Sequence, residues 1–375
     1  MQKQLRTLAL GILVCLTNIS AAQEANVAWL SEVNVPPQAV PMPKRALTPL
    51  LPAEVLKSDN AKAAWLKERE ALREKWLAFL GPMPKRPENN ALEVLQTEHF
   101  DWGKRQKVRY ENEPDQFIEA YLLIPTTKQA GSKQLGANKL SKSAGLVALH
   151  PTTNATIEEI AGVQGAASQH LGLDLAKEGF VVFCPKNFLW HEAKDLQTAV
   201  HQFRGRNPAT VGMHKMLYDA QRATDILASL PEVDPQRIGA VGHSLGAKET
   251  LYLMAFDERI RAGVFSEGGI ALDSTNWEAP WYLGEAVRQD SFPFDHHQLI
   301  ALIAPRPFLV LAGETGPGAA DGDRSWPCIA AAQPIYRLYE EPVRVGLFNH
   351  HQGHAIPAEA HKRLVEWLRV YTAAE

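Results

Sequence analysis

The sequence predicts an α/β fold, a mostly parallel twisted sheet with helices on both faces. Three observations carry this. From Gly145 onward, short apolar runs alternate with helix-length periodic segments. The run Arg237-Ile238-Gly239-Ala240-Val241 leads directly into Gly242-His243-Ser244-Leu245-Gly246 and then a helix-forming stretch, so a buried strand turns sharply into a helix. Ahead of that series, residues 91–124 alternate with period two, which announces antiparallel strands before the parallel ones.

In chain order, Met1 to Ala22 carries Lys3 and Arg6, an apolar stretch from Leu8 to Leu16 and the small residues Ser20-Ala21-Ala22. That is the layout of a secretory signal peptide, residues 1–22, cleaved before Gln23. Its apolar core is too short to span a bilayer, and Val14 before Cys15 does not suit lipidation. Residues 23–90 form a lead-in. Up to 58 they are rich in proline, without sustained periodicity, and read as extended chain over the surface. Residues 59–80 then read as a helix capped by Ser58 or Asp59 and stopped by Gly81-Pro82, with Trp65 and Trp76 packing on the main domain.

Residues 91–375 form the main domain. Its strands fall at 91–124, Leu146–Leu149, Phe180–Cys184, Ile238–Val241, Ala262–Phe265, Phe308–Ala312 and Val343–Phe348. Its helices fall around 166–178, 211–230, after Ser244, around 326–339 and at 357–372, with a Trp-rich irregular excursion after Phe265.

Composition narrows the class. The chain has 375 residues, 45% hydrophobic and 22% charged, with a formal net charge of −3, enough for a sizeable core. No basic stripe or block of like charge points to nucleic acid, and once the leader is removed nothing points to a membrane. Cleavage leaves Cys184 and Cys328, an even pair suited to an oxidising compartment; whether they pair is open.

The turn Gly242–Gly246 has the form of a nucleophile elbow, in which Ser244 stands at the tip of a strained bend above the sheet and the next backbone N–H is left free. A serine hydroxyl is a poor nucleophile at neutral pH, so it needs an imidazole to take its proton and return it to a leaving alcohol. His354, in the loop after the last strand, is placed for that. His350 and His351 lie in the same loop. Their spacing with His354 also resembles metal-ligand spacing, but no H-E-x-x-H helix is present and no metal is implied.

A carboxylate must then fix the imidazole tautomer. Glu267, in Ser266-Glu267-Gly268-Gly269, is one candidate. Asp321 is the alternative, in a loop that also holds Glu314 and Asp323. The oxyanion donors are the N–H of Leu245 and, in the loop His150-Pro151-Thr152-Thr153-Asn154, that of Thr152, since Pro151 has none. Lys248 reads either as a substrate contact or as a solvated helix residue. Trp277, Trp281 and Trp326 read either as a platform for a sugar ring or as packing, and His191, Glu192 and His201 as loop residues making surface hydrogen bonds.

With its serine first, acid next and histidine last, the chain over roughly residues 90–372 resembles the α/β-hydrolase superfamily. More closely, a set of local motifs resembles the glucuronoyl esterases of carbohydrate esterase family 15. These are Gly242-His243-Ser244 with Lys248, Ser266-Glu267-Gly268-Gly269, Asp295-His296-His297-Gln298-Leu299, Ala304-Pro305-Arg306-Pro307, Trp326 and His354. It equally resembles secreted bacterial acetyl-xylan-esterase-like and dienelactone-hydrolase-like proteins. The resemblance implies Glu267 as the acid and Lys248 as a contact to a uronate. Those esterases carry an Arg after the nucleophile where this chain has Leu245.

The reading that follows is a secreted or periplasmic serine esterase without cofactor, forming an acyl-enzyme on a carbohydrate-linked ester. The alternatives are a peptidase or amidase of the same fold, which must protonate an amine leaving group, and a catalytically silent binding protein.

Overall fold

The computed structural model describes residues 26–43, 45–126, 142–191, 193–319 and 321–374; the leader expected at 1–22 and Glu192 lie outside these. The described strands form one nine-stranded sheet. They are β1 (Glu93–Phe100), β2 (Gly103–Glu113), β3 (Gln116–Pro125), β4 (Ser143–Leu149), β5 (Val181–Pro185), β6 (Val233–His243), β7 (Ile260–Ser266), β8 (Phe308–Ala312) and β9 (Val345–Asn349), in spatial order β1-β2-β3-β5-β4-β6-β7-β8-β9. β1 to β3 pair antiparallel and β3 joins β5 antiparallel; every pairing from β5 to β9 is parallel. The chain leaves β4 to one side for β5 and then crosses to the other for β6. Open parallel sheets bind ligands beside such a reversal, at the carboxyl ends of the strands.

Period-two alternation sends neighbouring side chains to opposite faces. In β4, Val147 and Leu149 enter one core while Leu146 and Ala148 enter the other; Phe308 and Val310 of β8 part from Leu309 and Leu311 in the same way. Over the first face pack α1 (Ala61–Leu80), α4 (Gly212–Ser229), α5 (Leu245–Phe256), α6 (His296–Ile303) and α7 (Trp326–Arg337). Over the second pack α2 (Leu171–Lys177) and α8 (Ala358–Tyr371). A further helix, α3 (Leu196–Arg206), buries Ala199, Val200 and Phe203 against the first core.

Several expectations need correction. α1 starts at Ala61 without a side-chain cap, because the Ser58 hydroxyl donates instead to the Val55 carbonyl at 2.8 Å. The helix expected around 166–178 divides into a short turn at Ala167–Gln169 and α2. α3 and α6 were not anticipated, although both carry a readable start. Asp195 accepts from the Thr198 N–H, and Asp295 with Gln298 forms a full capping box.

The lead-in does not simply run over the surface. Val27, Trp29, Val33 and Leu51 are buried, and Trp29 stacks on Trp367 of α8 at 5.8 Å. Trp65 and Trp76 pack fully buried in the first core, as expected. Cys184 and Cys328 are both free thiols. They lie in the cores on opposite faces of the sheet, so no disulfide joins them.

Candidate active site

Sheet register brings the candidate residues to one edge. His243 of β6 pairs with Ser266 of β7, Ser266 with Leu311 of β8, and Leu311 with Phe348 of β9. The next residue along these strands is therefore Ser244, Glu267, Ala312 and Asn349, one row at the carboxyl end, with His350 directly after.

Ser244 has φ 57° and ψ −115°, the strained backbone of a strand-to-helix elbow, and its N–H donates to Ser266 O at 2.8 Å. A Cβ on Gly242 would run into the Gly246 carbonyl, and one on Gly246 into the Leu149 carbonyl. The two glycines therefore let β4, the bend and α5 pass at backbone contact. Leu245 opens α5, where a backbone N–H has no acceptor within its own helix.

Glu267 also holds a left-handed φ, 59°, with its N–H bonded to Leu311 O at 3.0 Å. Its side chain is fully buried and lies between two imidazoles. Oε1 is 2.9 Å from His350 Nε2 and Oε2 is 3.7 Å from His354 Nδ1. The first is short but poorly aligned and the second is beyond hydrogen-bond length, so neither is a formed hydrogen bond here. Burial by itself would push the Glu267 carboxyl up; the paired imidazoles outweigh it and hold the group below its ordinary value. Gly313 makes the placement feasible, because a Cβ there would strike Glu267 Oε1 and the carbonyls of Gln352 and Gly353.

His354 is partly exposed, its ring 4.7 Å from that of His243. The two rings line a cleft of about 140 Å³ with Leu149, Pro151, Leu171 and Ile356. Among the described residues no hydrogen bond joins Ser244 Oγ to His354; the loop carries the imidazole to the elbow without closing onto it.

Asp321, the alternative acid of the sequence reading, is bonded elsewhere. It is completely buried and accepts from the N–H groups of Gly269 (2.6 Å) and Ile270 (2.9 Å) and from Ser325 Oγ, so its oxygens anchor the loop after Glu267. Glu314 meets His351 Nδ1 at 2.8 Å and Asn349, and Asp323 also meets Asn349, on the exposed side of the same loop. His350 and His351 thus face different carboxylates, and among the described residues no group of three or more His, Cys, Asp or Glu is arranged to hold a metal ion.

Thr152 is exposed in the loop after β4. Its neighbour His150 is buried and neutral, held down to about 4 chiefly by desolvation; Nδ1 donates to Pro151 O and Nε2 accepts from the Asn187 N–H at 3.1 Å.

Lys248 is not the solvated residue of one reading. It is 3% exposed, with Nζ 3.8 Å from the centre of the Trp277 ring and 4.9 Å from that of Tyr282, and burial drives its pKa well down. Trp277 has no exposed surface and donates Nε1–H to Gly269 O at 2.7 Å; Trp326 is likewise buried. Both are buried as in the packing reading and offer no platform to a sugar ring, while Trp281 stays half-exposed. His191 lines a separate charged cleft with Glu113 and Lys215, and His201 is exposed on α3. The residue that the sequence reading left without a role is His350; its signal was an imidazole one residue beyond a strand whose neighbours all end at the site.

Comparison with known proteins follows the same lines. Residues 155–301 match the dienelactone hydrolase family, and residues 271–339 match fungal glucuronyl esterase. The solved glucuronoyl esterase from Solibacter usitatus superposes with a TM-score of 0.65 at 19% identity, covering 88% of this chain and 98% of that one. This chain has the α/β-hydrolase fold. A second hydrolase of that fold, the CE15 glucuronoyl esterase from Teredinibacter turnerae, gives 0.62 at 19% identity over 85% of this chain and 88% of that one. In sequence, the 4-O-methyl-glucuronoyl methylesterase of Phanerochaete carnosa is 28% identical over an alignment of 185 positions, 39% of this chain and 43% of that protein. The match spans less than half the length of that curated relative. The resemblances read from the motifs thus reappear in both sequence and structure comparisons.

Proposed function

We propose that this hydrolase fold is a serine esterase acting on a carbohydrate-linked carboxylic ester. The observation that carries the reading is the pairing of a strained elbow serine with a buried carboxylate, Glu267, aimed at the imidazole of His354.

Ser244 Oγ attacks the ester carbonyl while His354 Nε2 takes its proton, the loop after β9 bringing the imidazole onto the hydroxyl. The tetrahedral oxyanion is met by the Leu245 N–H, with the Thr152 N–H supplying the second donor. His354 returns the proton to the departing alcohol, water repeats the cycle on the acyl-enzyme, and Glu267 keeps Nδ1 protonated and offsets the imidazolium charge.

The relatives are a glucuronoyl methylesterase and a glucuronoyl esterase, and this supports a sugar ester as substrate. Leu245 in place of an arginine, and Lys248 sealed beneath Trp277, favour a broader ester specificity over one that demands a uronate. Residues 1–22 are proposed as a secretion leader, removed on export to the periplasm or beyond.

Labelling with a fluorophosphonate probe tests the reaction class: wild-type protein should label and Ser244→Ala should not. A folded wild-type protein that stays unlabelled sinks the reading and leaves a silent binding protein. Initial rates on acetylated xylan against methyl glucuronate then assign the ester, and the amino terminus of the exported protein reports the cleavage at Gln23.

A further inference from the structure

We propose that His350 is a positioning residue for Glu267, so that the acid of the site is held by two histidines and only one of them, His354, touches the chemistry. The inference rests on the esterase reading above and assigns a role within it.

Glu267 needs an orienter. Its backbone is strained, its side chain is fully buried, and neither carboxylate oxygen receives a well-formed hydrogen bond among the described residues. Asp321, close by, has backbone N–H donors that fix its direction; Glu267 has none. Its reactive partner His354 stands 3.7 Å away on a ring that is one-quarter exposed.

His350 is the fixed point. Its N–H donates to Ala312 O at 2.8 Å, tying it to the end of β8, and its side chain is 2% exposed. Nδ1 accepts from the Gln352 N–H at 3.2 Å, which puts the ring proton on Nε2, the nitrogen 2.9 Å from Glu267 Oε1. A neutral imidazole N–H can hold Oε1 while leaving the carboxylate its full charge for His354. The next residue, His351, turns outward at φ 56° to Glu314, so adjacent histidines serve opposite sides of the loop.

The test uses kinetics on p-nitrophenyl acetate with melting curves on the same proteins. His350→Leu should lower kcat about ten- to a hundredfold, the range typical when a partner that orients an active-site ligand is lost, with KM within about twofold. His350→Gln sets an amide N–H near the position of Nε2 and should recover most of the rate, whereas His350→Asn, whose amide overlays Nδ1, should not. In a Glu267→Gln background His350→Leu should change kcat less than about twofold, because its effect runs through the carboxylate.

A His350→Leu protein that melts like wild type and keeps its kcat would overturn the role, as would an equal loss in the Glu267→Gln background. If the leucine variant does not fold, Gln and Asn variants of equal rate would overturn it instead. A wild-type protein that neither labels with fluorophosphonate nor cleaves the ester sinks the esterase reading itself, and this role with it; an active wild type with indifferent His350 variants sinks the role alone.

Discussion

Two non-glycine residues hold a left-handed φ at the ends of neighbouring strands, Ser244 after β6 and Glu267 after β7. Such conformations cost on the order of 1–3 kcal/mol each and persist where the surrounding structure over-determines them. Here the strain aims an oxygen and a carboxylate at the same edge. Glu267→Gln should therefore lower kcat about 10³- to 10⁴-fold, since an amide cannot hold the imidazole in its working tautomer. Asp321→Asn should act differently. It weakens the bonds to Gly269 and Ile270, so steady-state kinetics should show a modest change while denaturant titration shows a loss of about 1–3 kcal/mol. If Asp321→Asn instead abolishes turnover in a protein of normal stability, the acid has been misassigned.

The elbow works as an element because β4, the bend and α5 touch through backbone alone. Gly246→Ala forces a methyl into the Leu149 carbonyl, and overpacking of this kind costs about 1–3 kcal/mol. The expected outcome is a lowered melting temperature together with loss of probe labelling, since β4 also carries the Thr152 loop. α1 lies outside the parallel series yet belongs to its core. Trp76 packs 4.6 Å from Phe294 and 5.9 Å from Tyr252 and donates Nε1–H to Gln298 of α6 at 3.0 Å. Trp76→Ala should lose about 3–5 kcal/mol by chemical denaturation. A variant within 1 kcal/mol of wild type, by the same order of estimate, would mean that α1 is an appendage.

Across the whole molecule, buried neutral histidines tie the sheet's ends together. His150 is held at about 4 and His296 at about 3, each first by desolvation. His296 Nδ1 donates to Ile270 O at 2.6 Å and Nε2 accepts from Tyr252 OH at 3.0 Å, an arrangement that a second ring proton would break. In the unfolded chain these rings protonate near ~6.5, so between that pH and their folded values the unfolded state binds more protons. Their contribution is complete above about 6.5 and is lost as pH falls to about 4 for His150 and about 3 for His296; for His150 alone the loss is about 3 kcal/mol. Urea midpoints should fall steadily across that window and less steeply in His296→Gln; a flat profile would show that these imidazoles are already solvated.

The sequence by itself determined the α/β order, the elbow at Ser244, the late histidine and the antiparallel lead strands, because each rests on local period or turn chemistry. It also held both candidate acids, Glu267, which the family resemblance implies, and Asp321 as the alternative. Tertiary structure gave the two carboxylates different surroundings, because the neighbours of a carboxylate come from strands and loops far apart in sequence: backbone N–H groups of 269–270 and Ser325 for Asp321, imidazoles from beyond β9 for Glu267. The same dependence on distant neighbours separated the thiols of Cys184 and Cys328 to opposite faces, buried Trp277 over Lys248, and turned His350 inward and His351 outward. Periodicity tells which face of an element is apolar; only the packed sheet tells what stands across from it.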